Sequence, residues 1–470
     1  MAKKKQIELT IEEKLQNALV PKEEQPYKIP NNWCWVRLES INKYKSETLN
    51  PKNAMEKMFE LYSVPSFDNK YPEILIGKDI GSNKYIVKKN DILLCKINPR
   101  INRVWQVYQH TNFGQICSSE WIVIRNEILN KSFLRYYFTS EYFRNRLCEN
   151  VSGVGGSLTR AKPKLVQLYE VPLSPINEQQ RIVNIIESLF AKLDRAKELI
   201  ENTLAQFEQN KMAILHKAFT GELTAKWRKE NNINNIKDVS YIEKLPYIVP
   251  NGWYWDKLEN ITIRIVDGDH NPPAKEKEKT SYIMLSAQNI GYSSFINMDK
   301  VRYLSKDNFD KCHKRTCLED GDILFSSVGS IGNAMVYREK ENDKITFQRS
   351  VTIIKTKINP YYLRYVLLSP YCQQIFKTES IGTAQKGFYI KQMKSLIVPV
   401  PTIEEQQEIV NILDNLLAKY NKIKNLEQQL EKIELLKKAI LAKAFRGELG
   451  TNNPDEESAE NLLKEILAEK

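Results

Sequence analysis

Histidine is scarce in this chain, with four residues (110, 216, 270 and 313) among 470. No Ser/His/Asp spacing accompanies them, which argues against hydrolytic catalysis. The seven cysteines (34, 95, 117, 148, 312, 317 and 372) are scattered and odd in number. Only Cys312 and Cys317 are close, and with His313 between them they fit no strong zinc pattern. They read as reduced structural thiols of a cytoplasmic protein. No apolar run approaches the ~20 residues of a membrane span. The basic start Met1-Ala-Lys-Lys-Lys5 is followed by no apolar core, so a signal peptide is not expected. Gly382 and Gly387 have the spacing of a phosphate-binding loop, but Phe388 stands where its lysine would be. Asn271-Pro272-Pro273 opens like an amino-methyltransferase motif. Ala274 then occupies the place of the ring that would stack on an extruded base. The Pro454–Asp455 pair has no convincing nuclease Glu-x-Lys after it. No catalytic residue, metal ligand or bound cofactor is therefore expected of the chain.

What is present is repetition. Pro26–Ile41 (PYKIPNNWCWVRLESI) returns as Pro246–Ile261 (PYIVPNGWYWDKLENI) at an offset of 220, and Lys88–Leu94 is answered by Glu319–Phe325. Ile176–Ile186 returns as Ile403–Leu413, and Ala213–Leu223 as Ala439–Leu449. A period this long is no solenoid; it marks a duplicated domain-plus-helix unit.

Asn177–Gly221 organises the first half. Ile182, Ile186, Leu189, Leu193, Ala196, Ile200, Thr203, Phe207, Asn210 and Ile214 alternate steps of four and three, a heptad seam that calls for a partner helix. Asn177 with Gln180 is a plausible start, and Gly221 a left-handed stop. Roughly 40 helical residues at about 1.5 Å each make a rod on the order of 60 Å. The partner seam is Leu413, Leu416, Tyr420, Ile423, Leu426, Leu430, Ile433, Leu436 and Ile440, with two steps of three in a row around Ile423. The offset falls from 227 to 226 across this helix, so the second copy is one residue shorter.

Chain order favours antiparallel packing, because the end of the first helix then lies near the entry to the second globular region. The expected fold is α+β. Two duplicated β-rich domains are separated by two long antiparallel helices forming an intramolecular coiled coil, with pseudo-two-fold symmetry. The divisions are 1–30, an N-terminal segment opened by a Thr10/Glu13 capping box; 31–173, the first domain; 174–221, a long helix; 222–250, a linker; 251–400, the second domain; 401–447, the other helix; and 448–470, a tail returning to the start. Ser132–Leu147 and Pro360–Phe376 read as aromatic-rich helices, and Glu120–Ile124 and Ser350–Ile354 as buried strands.

Charge indicates a partner. The chain carries a net +12, with fourteen Lys/Arg against five Asp/Glu over 84–164 and seventeen against nine over 300–394. Two similar basic domains about one duplex turn apart (~34 Å) could read two half-sites on one face of DNA. Candidate contacts in the first domain are Lys96, Arg100 and Arg103, with Ser157, Thr159, Arg160, Lys162 and Lys164 in a glycine-rich loop that Arg146 could reinforce. In the second they are Ser327, Ser330, Gln348, Arg349, Thr383, Gln385 and Lys386; Gln and Arg can bond base edges bidentately. A different class, a coiled-coil scaffold whose end domains bind protein or RNA, would fit the same seams.

Across nearly its whole length the chain resembles the specificity subunit of Type I restriction–modification enzymes. The carrying segments are Ile11-Glu-Glu-Lys-Leu15, Ala18-Leu-Val-Pro21, both Pro-Asn-x-Trp-x-Trp entries, Asp267-Gly-Asp-His-Asn-Pro-Pro273 and Gly321-Asp-Ile-Leu324. Gly329-Ser-Ile-Gly332, both Glu-Gln-Gln helix starts, both Ala-Phe-x-Gly-Glu-Leu ends and the tail Leu462–Lys470 complete the set. The resemblance implies two target-recognition domains, each reading half of a split double-stranded DNA site, with the helical pair fixing the gap. It implies docking of two modification subunits, which bind S-adenosylmethionine, and of restriction subunits using ATP and Mg; this chain would hold no cofactor. The first domain departs from the pattern, with Lys96-Ile-Asn-Pro-Arg-Ile-Asn102 where the second has its Gly-Ser-Ile-Gly loop. That departure suggests that the half-sites differ.

Overall fold

A computed structural model describes residues 9–152, 159–231, 245–340, 344–382, 386–421, 424–469. The chain forms two units, one of Met1–Ile200 with Gln428–Lys470 and one of Glu201–Glu427. Both are mixed α+β. No helix among the described residues is long and apolar enough to cross a membrane.

In the first unit a five-stranded sheet runs in the order Thr48–Leu49, Lys84–Ile86, Gly114–Cys117, Met58–Tyr62, Glu73–Ile76. A three-stranded sheet has Ile92–Cys95 between Val104–Gln106 and Trp121–Ile124. The second unit repeats that core with Ile323–Ser326 between Ala334–Val336 and Val351–Thr356, extended by Thr262–Asp267. Asn90 and Gly321 open the central strand in each unit at positive φ (75° and 87°), and the Asp that follows accepts from the backbone N–H three residues before it. Asn and Gly are the residues that tolerate this geometry.

The Trp-x-Trp strand closes each domain. Cys34–Arg37 pairs antiparallel with Glu170–Leu173, and Tyr254–Lys257 with Ile397–Val400, placing Trp35 opposite Pro172 and Trp255 opposite Pro399. The Trp35 and Trp255 indoles donate to the carbonyls of Tyr27 and Tyr247 at 3.2 and 3.3 Å, and each ring meets that tyrosine edge-on.

The first long helix spans Ile176–Phe219; the second is described as Ile403–Asn421 and Lys424–Phe445. Within each unit the start of one packs on the end of the other. Ile182, Val183 and Ile186 share a core with Leu441, Ala444 and Phe445 in the first unit. Leu215, Ala218 and Phe219 share one with Ile409, Val410, Leu413 and Leu417 in the second. Farther along, within the first unit, Lys197 pairs with Glu434 at 3.1 Å and Lys437 with Asp194 at 2.5 Å, so the packing is antiparallel.

Three expectations about helices need correction. The first long helix begins at Ile176, and Gln180 does not cap it; its side chain accepts from Asn130 Nδ2 and donates to Asn184. Each aromatic-rich helix is in fact two, Lys131–Thr139 with Glu141–Glu149 and Pro360–Leu367 with Pro370–Glu379. The break falls at Ser140 and Ser369, whose hydroxyls cap the second piece by accepting from Phe143 and Cys372 N–H groups.

The seam also drifts. Ile182, Ile186, Leu413 and Ile433 are buried, and Leu189, Leu193, Ile200, Phe207, Ile214, Leu416, Leu430 and Ile440 are half-buried. Asn210 and Leu436, however, are exposed, and Lys211 and Lys437 one residue on turn inward instead. Lys437 sets its ammonium 5.4 Å from the Phe190 ring centre, and Lys211 sits 4.1 Å from that of Tyr292. A helix of 3.6 residues per turn falls out of step with a 3.5 repeat, and lysine stems can cover apolar surface while their charges reach out. Ile423 and the side chain of Tyr420 lie outside the described residues. Accordingly, Leu436→Lys should change stability by less than ~0.5 kcal/mol, whereas Ile433→Val should cost about 1 kcal/mol. Paired urea titrations measure both.

Candidate nucleic-acid interface

Both units build the same knot around a buried glutamate. Glu178, fully buried in the first turn of its helix, accepts from the Trp33 indole at 2.7 Å, the Thr451 hydroxyl at 3.0 Å and Asn452 Nδ2 at 3.0 Å. Glu405 accepts from the Trp253 indole at 2.8 Å, the Thr224 hydroxyl at 2.6 Å and the Arg228 guanidinium. Gly447 and Gly221 hold φ of 73° and 78°, and a Cβ on either would lie 2.3 or 2.2 Å from the ring of Pro30 or Pro250. Thus the Pro-Asn-x-Trp entry, the Glu-Gln-Gln start and the Gly-Glu-Leu end meet in each unit. In the first unit the tail folds back as well: Ala459 N–H donates to the Asn32 carbonyl at 2.9 Å, and the Ala459–Ala468 helix packs on Ile11–Ala18.

On this frame each unit presents a matched pair of loops. In the second unit, Ser327–Asn333 follows the central strand, turning at Gly329 and Gly332 with φ of 82° and 100°. It is tied to the next loop by a Val328–Gly387 bridge and by Phe388 N–H donating to the Ser327 carbonyl at 2.8 Å. In the first unit, Lys96–Arg103 does the same. An Ile97–Arg160 bridge forms, and Ala161 N–H donates to the Lys96 carbonyl at 2.8 Å. Asn98 and Asn102 supply positive φ (49° and 50°) where the second unit uses glycine. The departure seen in the sequence therefore keeps the tie to the adjoining loop and changes the side chains.

Around the second pair lies a hollow of about 430 Å³ lined by Ser286, Gln288, Gly329, Ser330, Gln348 and Arg349. Parallel pairing of Ile283–Leu285 with Ile345–Phe347 brings the two loops that follow those strands to one edge. Gly268 allows the Asp267–Pro273 segment to lie against them, since a Cβ there would be 2.3 Å from the Phe347 carbonyl oxygen. Asp269 and Arg349 are joined by a backbone hydrogen bond of 2.8 Å. Burial raises the carboxyl pKa of Asp267, which accepts from the Thr352 hydroxyl at 2.7 Å.

Ser330, Gln348, Arg349 and Lys386 thus gather on one side of the second unit, and Lys96, Arg100, Thr159 and Arg160 on the paired loops of the first, with Lys162 at the start of the short helix that follows and Lys164 within it. Among the described residues, Lys96, Arg100, Lys162, Lys164, Arg349 and Lys386 have no ion-pair partner. Four expectations change. Ser327 is buried, its hydroxyl inside the loop wall. Arg103 has its Nε buried beside Cys95. Arg160 is engaged by Glu120 at 3.2 Å, and Arg146 by Glu149 and Glu170. Ser157, Thr383 and Gln385 lie outside the described residues. Gln288 was missed, because only the parallel pairing places it beside Gln348.

A family model described as the Type I restriction modification DNA specificity domain matches residues 30–206 and again 270–435. The chain belongs to this family. Among its relatives, the EcoBI specificity subunit of Escherichia coli is 30% identical over 371 residues, covering 76% of this chain and 74% of that protein. The EcoKI specificity subunit of E. coli K12 is 27% identical, covering 84% of each. A solved type I R-M system chain, studied for complex assembly and conformational transition, superposes with a TM-score of 0.68 at 20% identity, covering 90% of this chain and 100% of that one. The HsdS subunit of Thermoanaerobacter tengcongensis gives 0.51 at 21% identity, covering 91% and 100%. The two matched stretches of this specificity-subunit relative contain the paired loops of both units.

Proposed function

We propose that each unit reads one half of a bipartite double-stranded DNA site. The paired loops carry this reading: they close alike in both units and expose different side chains. Lysines and arginines there would position the duplex through phosphates, while a few polar side chains discriminate bases. The chain itself performs no chemistry in this reading. Two modification subunits, holding S-adenosylmethionine, would dock on it and methylate adenine, with ATP- and Mg-dependent restriction subunits joining them in the cytoplasm. The long helices would set the permitted gap between half-sites.

Lengthening both helices by matched turns should then widen the gap without altering either half-site, as read by adenine-methylation mapping with the modification subunit present. An unchanged gap preference would refute the ruler role. Purified chain with labelled cofactor and no partner should transfer no methyl group to DNA.

A further inference from the structure

Away from the paired loops, the second unit holds a buried cation with no counter-charge among the described residues. Arg364, only 5% exposed, donates through Nε to the carbonyls of Tyr292 and Ala334 at 3.1 and 3.2 Å, and through Nη2 to that of Tyr292. Its guanidinium lies 4.7 and 4.8 Å from the ring centres of Tyr292 and Tyr365. No carboxylate among the described residues comes within ion-pair distance of it. Burying a charge in this way is costly, and ring faces return only part of what a counter-ion would. The Tyr292 hydroxyl is also buried, with no hydrogen-bond partner among the described residues. Beside both opens a hollow of about 350 Å³, walled by Arg338, Tyr361, Asp414 and Leu417.

The charges are arranged for a ligand with two unlike ends. Arg364 lies over the face of Tyr365, while Asp414 accepts from the hydroxyl of that same tyrosine at 2.5 Å. A bare inorganic anion would meet Arg364 but would also meet the Asp414 carboxylate, and it would leave most of the space and the rings unused. An anion joined to a planar ring that bears hydroxyl or amino donors uses all three features. We propose that this hollow binds a nucleotide-class ligand, its phosphate on Arg364, its ring among the tyrosines and its donors toward Asp414, with Arg338 held at the rim by Asp320 at 2.7 Å.

The first unit supplies the control. Arg135 and Tyr136 stand at the equivalent positions, 4.3 Å apart from guanidinium to ring centre, but Phe190 replaces Leu417 and its ring meets Tyr136 at 5.8 Å. Leu417→Phe should therefore occupy the hollow while keeping Arg364 in place. The test is calorimetric titration of the full chain with each of the four nucleoside monophosphates, with the matching nucleoside, and with inorganic phosphate.

At least one monophosphate should bind at one site per chain, with its nucleoside and phosphate each weaker by about tenfold or more. Leu417→Phe should weaken that monophosphate by about tenfold or more and leave duplex DNA affinity within about twofold. Absence of binding by all four, equal binding of phosphate alone, or affinity untouched by Leu417→Phe would each overturn the assignment. The site makes no use of the DNA-facing loops, so failure of the half-site reading would leave it standing.

Discussion

Glu405→Ala is expected to destabilise the protein by about 3–5 kcal/mol, because it leaves the largely buried Arg228 guanidinium without its carboxylate, holding only the Thr224 hydroxyl and the Gly221 carbonyl. Glu405 is fully buried, and the Arg228 side chain is only 12% exposed. The same substitution frees the Trp253 indole and the Thr224 hydroxyl, so the cost is that of an opened network. Arg228→Met in the same chain should recover most of the loss, since removing both charges removes the unpaired one. The equivalent change at Glu178 leaves neutral donors from Trp33, Thr451 and Asn452, at about 1–3 kcal/mol for each left unsatisfied. Equilibrium urea unfolding of the two single variants and the double variant measures these terms. A loss below ~1 kcal/mol for Glu405→Ala, or no recovery in the double variant, would show that Arg228 finds water or another acceptor.

These glutamates explain why so much of the architecture was legible. The motifs that repeat are the ones that meet: Pro-Asn-x-Trp supplies the indole, Glu-Gln-Gln the carboxylate, and Gly-Glu-Leu the left-handed stop that lets the proline ring approach. Gln179 and Gln406 add a reason for the second letter of that motif. Each accepts from the backbone N–H of Asn130 or Asn359 at 3.0 Å and donates back to the carbonyl of Ser174 or Pro401 at 2.9 Å. Periodicity reached the helices, but not their local departures. Ser140 and Ser369 break apolar patterns that look continuous, because a hydroxyl caps as readily as it exposes. Leu436, a seam position by spacing, faces solvent while Lys211 and Lys437 turn inward, because a fixed 3.5 step ignores the drift of a real helix.

The paired loops were legible in composition and illegible in arrangement. Glycines announced turns in the second unit, but in the first Asn98 and Asn102 do the same work without that signal. Which polar residues share a face depends on non-local pairing, as between Ile283–Leu285 and Ile345–Phe347, and spacing along the chain does not carry it. Residue type alone points Ser327 and Arg103 to the surface, whereas packing buries Ser327 and covers the Nε of Arg103.

That arrangement predicts different outcomes for two cations in the second unit. Arg349 is exposed, has no ion-pair partner among the described residues, and borders the hollow with Gln288 and Gln348. Its fork can engage one base edge bidentately, so Arg349→Ala should relax one position of one half-site by about 1–3 kcal/mol, roughly 5- to 150-fold in discrimination. The other half-site and the gap should stay as they were. Lys386, also exposed, sits on the adjoining loop, where a point charge serves phosphates. Lys386→Ala should weaken binding evenly across sequences and reduce the slope of log affinity against log salt by about 1. Methylation mapping over randomised sites, paired with titrations at several salt concentrations, separates the two. Equal weakening on every site for Arg349→Ala would place that side chain on the backbone, and base reading in this unit would then fall to Gln288 and Gln348.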